Sequence, residues 1–265
     1  MSADQTACDI IGEGRTVLTR LSVAGPVCGA ALLTALVIAS GTWAEESLRE
    51  FAEPGLRDFS ATAVVVQKNE DELRKIDPSF AQGYRFRESL IQYKEPLKLR
   101  VDSKAGWLAV RYVINGKRKS TQVPGLHLFK VKDIAGHPGE EQGMLESGIV
   151  TPGFLADSIA SRFVGHQSLD GRRVPVFEFW PTDESHSRHH FLWMDPEKRL
   201  VLRHDVENRS GGLKVRYMFK QPTQVAGVWV PTRIEVYNAE GRLAAVTHCT
   251  HIRVNTGLSE SLFRI

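Results

Sequence analysis

The segment LKVRYMFK, residues 213–220, decides the fold. Successive side chains of a β-strand point to opposite faces of the sheet, so this alternation of residue types predicts a strand. One face of that strand is apolar, and the other is mostly basic and solvated. The apolar face consists of Leu213, Val215, Tyr217 and Phe219, and the other of Lys214, Arg216, Met218 and Lys220.

The same pattern continues on both sides of this segment, between Arg188 and Asn255. Ser-Gly-Gly at 210–212 supplies a turn, because glycine tolerates positive φ. Short strands at hairpin spacing with turn residues between them predict an antiparallel meander. The neighbouring strands are predicted at 199–206, 228–237 and 242–254. Proline cannot donate a hydrogen bond to an adjacent strand, so Pro231 predicts that its strand is an edge strand or is bulged there.

The chain before residue 188 adds more strands and a few helices. One helix is predicted to begin at Thr151-Pro152, because a hydroxyl cap followed by proline is typical of a helix N-terminus. Its apolar stripe is Phe154, Leu155, Ile159 and Phe163, and it ends near Gly165. A short helix is predicted at 45–51 and a loop at 134–148. Strands are predicted at 59–68, 84–93, 97–102, 107–115, 117–123, 127–132 and 174–180.

These elements predict an α+β fold that is mostly antiparallel sheet. A flat sheet of about ten strands tends to curl. The economical arrangement is therefore a strongly curved sheet, an incomplete β-barrel, whose concave face is covered by the few helices. With 42% hydrophobic and 25% charged residues, the composition is that of a globular protein, and we predict a single domain over residues 45–265.

Residues 1–44 have the layout of a secretory signal peptide. Arg15 and Arg20 precede an apolar run at 21–38, and small residues follow before Glu45. The competing interpretation is an uncleaved anchor in the inner membrane through 21–38. In both cases residues 45–265 are predicted to face away from the cytoplasm. Cys249 is the only cysteine after the segment, so an intrachain disulfide is excluded there.

Two histidine groups are candidates for metal binding, because imidazole and thiolate are ligands that zinc and copper accept. Their spacing argues against a site, since neighbouring residues of a strand point to opposite faces. The groups are His186, His189 and His190, and His248, Cys249 and His251. No hydrolase, metalloprotease or phosphate-binding motif is present in the sequence, so we predict a non-enzymatic protein without a cofactor.

Basic residues and aromatic residues suggest two surfaces. The net charge of +3 does not indicate a nucleic-acid partner. The basic residues of the strands indicate either a solvated outer face or a face for anionic lipid headgroups or an acidic partner. Apolar side chains under a helical cover can leave a ligand cavity. The candidates for lining it are Phe154, Ile159, Phe163, Phe191, Trp193, Tyr217 and Phe219.

Several segments, taken together, resemble the LolA-like family of outer-membrane lipoprotein-sorting proteins. They are LRDFSATA at 56–63, YKEPLKLRV at 93–101, VWVPT at 228–232 and IRVN at 252–255, followed by Leu258, Leu262 and Phe263. The resemblance, which runs over residues 45–265, implies an incomplete antiparallel barrel with a helical lid and an apolar cavity for acyl chains. It also implies a periplasmic location.

The function expected from these features is that of an exported binding protein, a relative of unassigned function within that family. It would hold a lipid or lipoprotein acyl chain as a monomer, with a membrane surface or membrane protein as a further partner. Two alternatives remain: a periplasmic sensor or structural module that binds a protein, and a metalloprotein or enzyme built on the histidines.

Overall fold

Thirteen antiparallel strands form one sheet in the described part of the chain. The structure is a computed structural model, and it describes residues 46–137, 143–156, 159–182, 189–208 and 210–265. The strands are β1 Asp58–Lys68, β2 Glu88–Lys94, β3 Lys98–Ala105, β4 Leu108–Asn115, β5 Arg118–Val123, β6 Leu128–Asp133, β7 Ile159–Leu169, β8 Arg172–Pro181, β9 His190–Asp195, β10 Leu200–Glu207, β11 Leu213–Val225, β12 Val228–Asn238 and β13 Leu243–Val254.

The order of the strands is β6-β5-β4-β3-β2-β1-β13-β12-β11-β10-β9-β8-β7. Two meanders, β1–β6 and β7–β13, are thus joined by the pairing of the first strand with the last, and β6 and β7 are the two edges. The predicted class is confirmed: the fold is a mostly antiparallel, curved and open sheet with few helices. The predicted export segment, residues 1–44, lies outside the described residues.

The helices are short. Helix α1 covers Glu70–Ile76 and α2 covers Pro78–Gly83, and single 3-10 turns cover Leu48–Phe51, Pro124–Leu126, Leu145–Ser147 and Glu260–Phe263. The side chain of Asn69 caps α1 by accepting hydrogen bonds from the backbone N–H groups of Asp71 and Glu72. The short helix predicted at 45–51 corresponds to the first 3-10 turn.

The helix predicted from Thr151 is wrong. Residues 152–155 form turns, and Ile159 and Phe163 belong to strand β7. A spacing of four residues is close to one helical turn, but it is also a multiple of the two-residue period of a strand. The pairing of β7 with β8, in which Phe163 lies opposite Phe177, stabilises the extended conformation.

Pro231 is compatible with an interior strand because of where it lies in β12. Only residues 233–237 of β12 pair with β13, whereas Pro231 pairs with Pro222 of β11 alone. The missing donor of Pro231 therefore costs no hydrogen bond on the β13 side. The prediction that β12 is an edge strand or is bulged at Pro231 is wrong: β12 is an interior strand, and its pairing with β11 passes through Pro231 without a register shift.

One face of the sheet, called the inner face, carries most of the core. The connecting segment (residues 143–156, between β6 and β7) packs on it together with the first 3-10 turn. The first core cluster lies beneath them and includes Leu48, Phe51, Leu145, Val150, Phe154, Leu155, Phe177, Phe179, Leu192, Met194, Val201, Phe219, Ile234 and Cys249. A second cluster lies on β1–β4 and includes Phe59, Tyr93, Leu99, Ile114, Met144 and Ile149. The helices α1 and α2 cover a third cluster that includes Leu73, Ile76, Val206, Val215 and Val236.

Gly148 fixes how closely the connecting segment approaches the sheet. Its φ is +76°, and a Cβ atom at this position would lie 2.8 Å from Phe219 and 2.9 Å from Pro231. Only glycine satisfies both the positive φ and the close approach. The connecting segment therefore lies directly on β11 and β12.

Asn255 joins the two ends of the described chain. Its side-chain oxygen accepts hydrogen bonds from the backbone N–H groups of Arg57 and Asp58, and its amide group donates to the carbonyl oxygen of Gly55. The buried Asp58 carboxylate in turn accepts from the backbone N–H groups of Thr256 and Gly257. Beyond this point Phe263 is fully buried. These contacts give a physical reason for the IRVN segment and the phenylalanine that follows it.

Candidate functional site

A row of stacked rings crosses the inner face from β8 to β11. The ring of His190 stacks on Phe179 with centroids 4.6 Å apart, and on His204 at 5.2 Å. His204 stacks on Tyr217 at 5.4 Å, and Tyr217 is followed by Phe219 at 6.4 Å. Each ring comes from the neighbouring strand or from the next residue on the same face. Adjacent strands thus build one continuous aromatic surface.

A nitrogen atom of His190 also contacts a nitrogen atom of His204. His190 Nδ1 lies 2.9 Å from His204 Nε2, so one ring donates and the other accepts. Burial lowers the pKa of His204 well below its usual value, and His190 lowers it further, against the opposing effect of Asp205. His204 is therefore a neutral imidazole at neutral pH, embedded in an aromatic row.

Helix α2 extends the aromatic row. Phe80 lies 6.4 Å from Tyr217 and 5.6 Å from Tyr84, measured between ring centroids. Burial raises the pKa of the Tyr84 and Tyr217 hydroxyls, and the negative charge of Glu146 raises both further.

The structure brings five of the seven predicted cavity residues together. Phe154 and Phe219 belong to the first core cluster, and Ile159, Phe163 and Tyr217 are partly buried against it. Phe191 and Trp193 lie apart from them. They point to the opposite face of β9 from Leu192 and Met194, and they pack with Val174, Val176 and Leu202. The guanidinium of Arg203 lies 4.0 Å from the centroid of the Trp193 ring, a cation–π contact.

The opposite face of the sheet, called the outer face, carries ion pairs in which one carboxylate lies between two positively charged side chains. Asp205 accepts hydrogen bonds from Arg203 at 2.8 Å and from Arg216 at 2.9 Å. Burial raises the pKa of the Asp205 carboxyl, but these two guanidinium groups outweigh it and hold the pKa below its usual value. Glu235 has the same arrangement with Arg233 and Lys220, at 2.7 and 3.8 Å. Arg216 and Lys220 of β11 are therefore paired with carboxylates on this face.

The two histidine groups are divided between the faces. His189 contacts Glu178 and Trp180, whereas His190 contacts Phe179, so their predicted opposite orientation is confirmed. Cys249 is buried in the first core cluster, and burial raises the pKa of its thiol to about 11. His186 lies outside the described residues. Within those residues, no group of three or more His, Cys, Asp and Glu side chains is arranged to hold a metal ion.

The sequence did not single out His204 as a site residue. A register shift between Val201 and Arg203 of β10 changes which residues share a face, and this hides His204 from a simple two-residue period. Tyr84 was also missed, because its segment was predicted as the start of a strand, whereas Tyr84 lies in the turn that follows α2. In the described part of the chain, no helix has both the length and the apolar character needed to cross a membrane.

Comparisons with known proteins identify the fold. A family model described only as an uncharacterized protein matches residues 152–265. No curated protein matches the sequence. A putative outer membrane lipoprotein-sorting protein domain from Vibrio parahaemolyticus is similar in structure, with a TM-score of 0.54 and 15% identity over 82% of this chain and 93% of that one. A LolA superfamily protein from Nitrosomonas europaea has a TM-score of 0.53 and 16% identity over 82% of this chain and 94% of that one. The fold of this chain is therefore LolA-like.

Proposed function

We propose that this LolA-like protein is an exported, non-enzymatic binding protein that holds a lipid or a lipoprotein acyl chain against the inner face. The observation that carries the proposal is a set of large, mostly apolar side chains on the inner face that keep solvent-accessible surface. Phe80, Tyr84, Ile159, Phe163 and Tyr217 are only partly buried, although each packs against a core cluster. An apolar surface left open between the sheet and its covering segments is suited to an apolar ligand.

The burial of one acyl chain is sufficient for such a role. Each methylene group removed from water contributes about 0.8 kcal/mol, so a chain of about 15 carbons contributes on the order of 10 kcal/mol before ordering costs. The proposed site uses Phe154, Ile159, Phe163, Tyr217 and Phe219. It does not use Phe191 and Trp193, because these residues face away from the other five.

The cover of the site consists of short segments rather than a closed barrel. The connecting segment and the helices α1 and α2 rest on the inner face through side chains and a few hydrogen bonds. Such a cover can move locally at a smaller cost than a strand of the sheet. We propose a periplasmic location and action as a monomer, with a membrane surface or a membrane protein as the source of the lipid.

The proposal is tested by native mass spectrometry, with lipid extraction, of the chain recovered from a bacterial periplasm. We expect a co-purifying lipid or fatty acid. Phe163→Asp places a charge on the inner-face side of β7 and is expected to abolish the bound lipid. The matched control is Val164→Asp, which changes the next, exposed residue of the same strand and is expected to keep it.

A lipid-free mass for the unmodified chain, with no uptake of added lipid, would overturn the proposal. In that case the alternative is a sensor or structural module that binds a protein partner. Equal lipid content in Phe163→Asp and Val164→Asp would place the lipid elsewhere on the molecule.

A further inference from the structure

We propose that one end of the β3–β6 region docks on an anionic membrane surface. Four large apolar side chains are exposed there, and we call them the apolar tip. Trp107 is 77% exposed, Phe129 57%, and Leu126 and Leu128 50% each. Apolar side chains grouped in this way on a protein surface mark an interaction site, whereas single exposed ones do not.

The four residues of the apolar tip lie at the same end of the sheet because two turns meet there. Trp107 is in the turn between β3 and β4, and Leu126 is in the 3-10 turn between β5 and β6. A Cβ atom on Gly125 would lie 3.5 Å from the Trp107 ring, so the two turns are in contact. Leu128 and Phe129 begin the edge strand β6, in which every residue is exposed.

Positive charge lies behind the apolar tip. Lys104 is in the strand that leads to Trp107, and Lys130 and Lys132 follow Leu128 in β6, whereas the basic residues 117–119 belong to the opposite end of the same strands. Lys130 and Lys132 lie on the same face of β6 as Leu128. At about 3.4 Å per residue, they are roughly 7 and 14 Å behind it. The first of these distances matches an apolar end inserted roughly 5–10 Å into the headgroup boundary, with Lys130 at the level of the phosphates.

The positive charge near the apolar tip favours an anionic membrane as its partner over a second copy of the chain. A second copy of the chain meeting this one through the same patch would bring two positive surfaces together, which is unfavourable. Lysine on an exposed edge strand also opposes pairing with another strand. An anionic bilayer matches both the apolar side chains and the lysines. Its hydrocarbon region can accept tryptophan, leucine and phenylalanine, and its negatively charged headgroups attract the lysines.

This inference gives the proposed carrier a place to meet its lipid, but it rests on different residues from the inner-face site. The two can therefore fail independently. Docking without a bound lipid would support the inference and overturn the proposed function. A bound lipid without docking would do the reverse.

The test uses the full chain and the fluorescence of Trp107. The protein is mixed with phosphatidylcholine vesicles, with or without phosphatidylglycerol, that contain bromine-labelled acyl chains, which quench tryptophan. Trp107→Phe keeps the apolar tip but removes its reporter, so the difference between the two proteins reads residue 107 alone. This remains true if another part of the chain also holds the protein on the vesicle.

We expect Trp107 to be quenched on vesicles with phosphatidylglycerol, and the quenching to fall at high salt. Lys130→Gln should weaken this vesicle binding about fivefold, because each basic residue near an anionic surface contributes on the order of 1 kcal/mol. Val164→Glu, on the exposed edge strand β7, is the matched control and should leave it unchanged. Equal quenching of the parent chain and Trp107→Phe, or quenching that ignores phosphatidylglycerol, overturns the inference.

Discussion

The hydroxyl oxygens of Tyr93 and Thr151 lie 3.0 Å apart, and both side chains are buried. The backbone N–H of Phe154 donates to Thr151, and the Tyr93 hydroxyl donates to Glu95 at 3.0 Å. If the Thr151 hydroxyl donates to the Tyr93 oxygen, both hydroxyl groups have a hydrogen-bond acceptor. This chain of hydrogen bonds fastens the connecting segment to β2, and a buried network of this kind is costly to leave partly satisfied.

Tyr93→Phe should destabilise the protein by about 1–3 kcal/mol, because it leaves the buried Thr151 hydroxyl without its acceptor. The measurement is chemical denaturation. The matched control is Tyr237→Phe, which removes a hydroxyl that donates to Glu235 on the outer face, where the carboxylate keeps its contacts with Arg233 and Lys220. Equal losses in the free energy of unfolding for the two variants would show that the Tyr93 network stabilises the protein no more than the hydrogen bond of Tyr237 does.

Gly148→Ala should destabilise the protein more than Gly227→Ala does. Both glycines have positive φ, +76° and +85°, so both changes carry the backbone cost of about 1–2 kcal/mol. Only Gly148 faces a neighbour, since nothing lies within 4 Å of a Cβ at Gly227. The contact with Phe219 and Pro231 should add about 1–3 kcal/mol. The two melting temperatures measure the difference, and equal values would contradict the close approach.

Stability should fall as the pH drops below about 6.5, and His204 should cause much of the loss. In the folded state the pKa of His204 is lowered, whereas the unfolded chain binds a proton near that pH. Unfolding therefore takes up a proton, and stability decreases by up to about 1.4 kcal/mol per pH unit between the unfolded and the folded pKa. Denaturation at pH 5 and pH 7 measures it.

His204→Phe keeps a ring in the aromatic row and should flatten this pH dependence. His251→Asn is the control, because His251 is exposed and asparagine tolerates its φ of +51°. An unchanged pH dependence in His204→Phe would assign the effect to another group.

Asn255→Ala should cost about 2–4 kcal/mol, because it removes the side chain that joins residues 55–58 to the end of β13 and because φ at this residue is +58°. Asn255→Gly restores the backbone freedom but not the hydrogen bonds. It should therefore recover only part of the loss in the same denaturation measurement. Full recovery would mean that the hydrogen bonds contribute nothing.

The sequence was sufficient for most strands of the sheet, but not for β7, which was predicted as helix, and it was insufficient for the cover of the sheet. Strands such as β11 alternate strictly, so their faces could be predicted from one residue to the next. The connecting segment follows no period, because its residues are placed by contacts such as that of Gly148 with Phe219. The same limit applies to the site. Tyr217 and Phe219 were predicted correctly to lie on the same face of β11. The orientation of Trp193 away from the inner face and the position of His204 on it depend on the register of β10 against β9.

The pairing of β1 with β13 also has a consequence for how the molecule is assembled over time. When the chain is synthesised from its N-terminus, β1 can pair with β2 immediately, but its other edge stays open until the last strand exists. Phe59 and its partner Val254 are separated by almost the whole described chain, so this contact closes a very long loop. We therefore expect the pairing of the two meanders to be the slow step of folding. The open edge of β1 is the site at which a molecular chaperone would bind the incomplete chain.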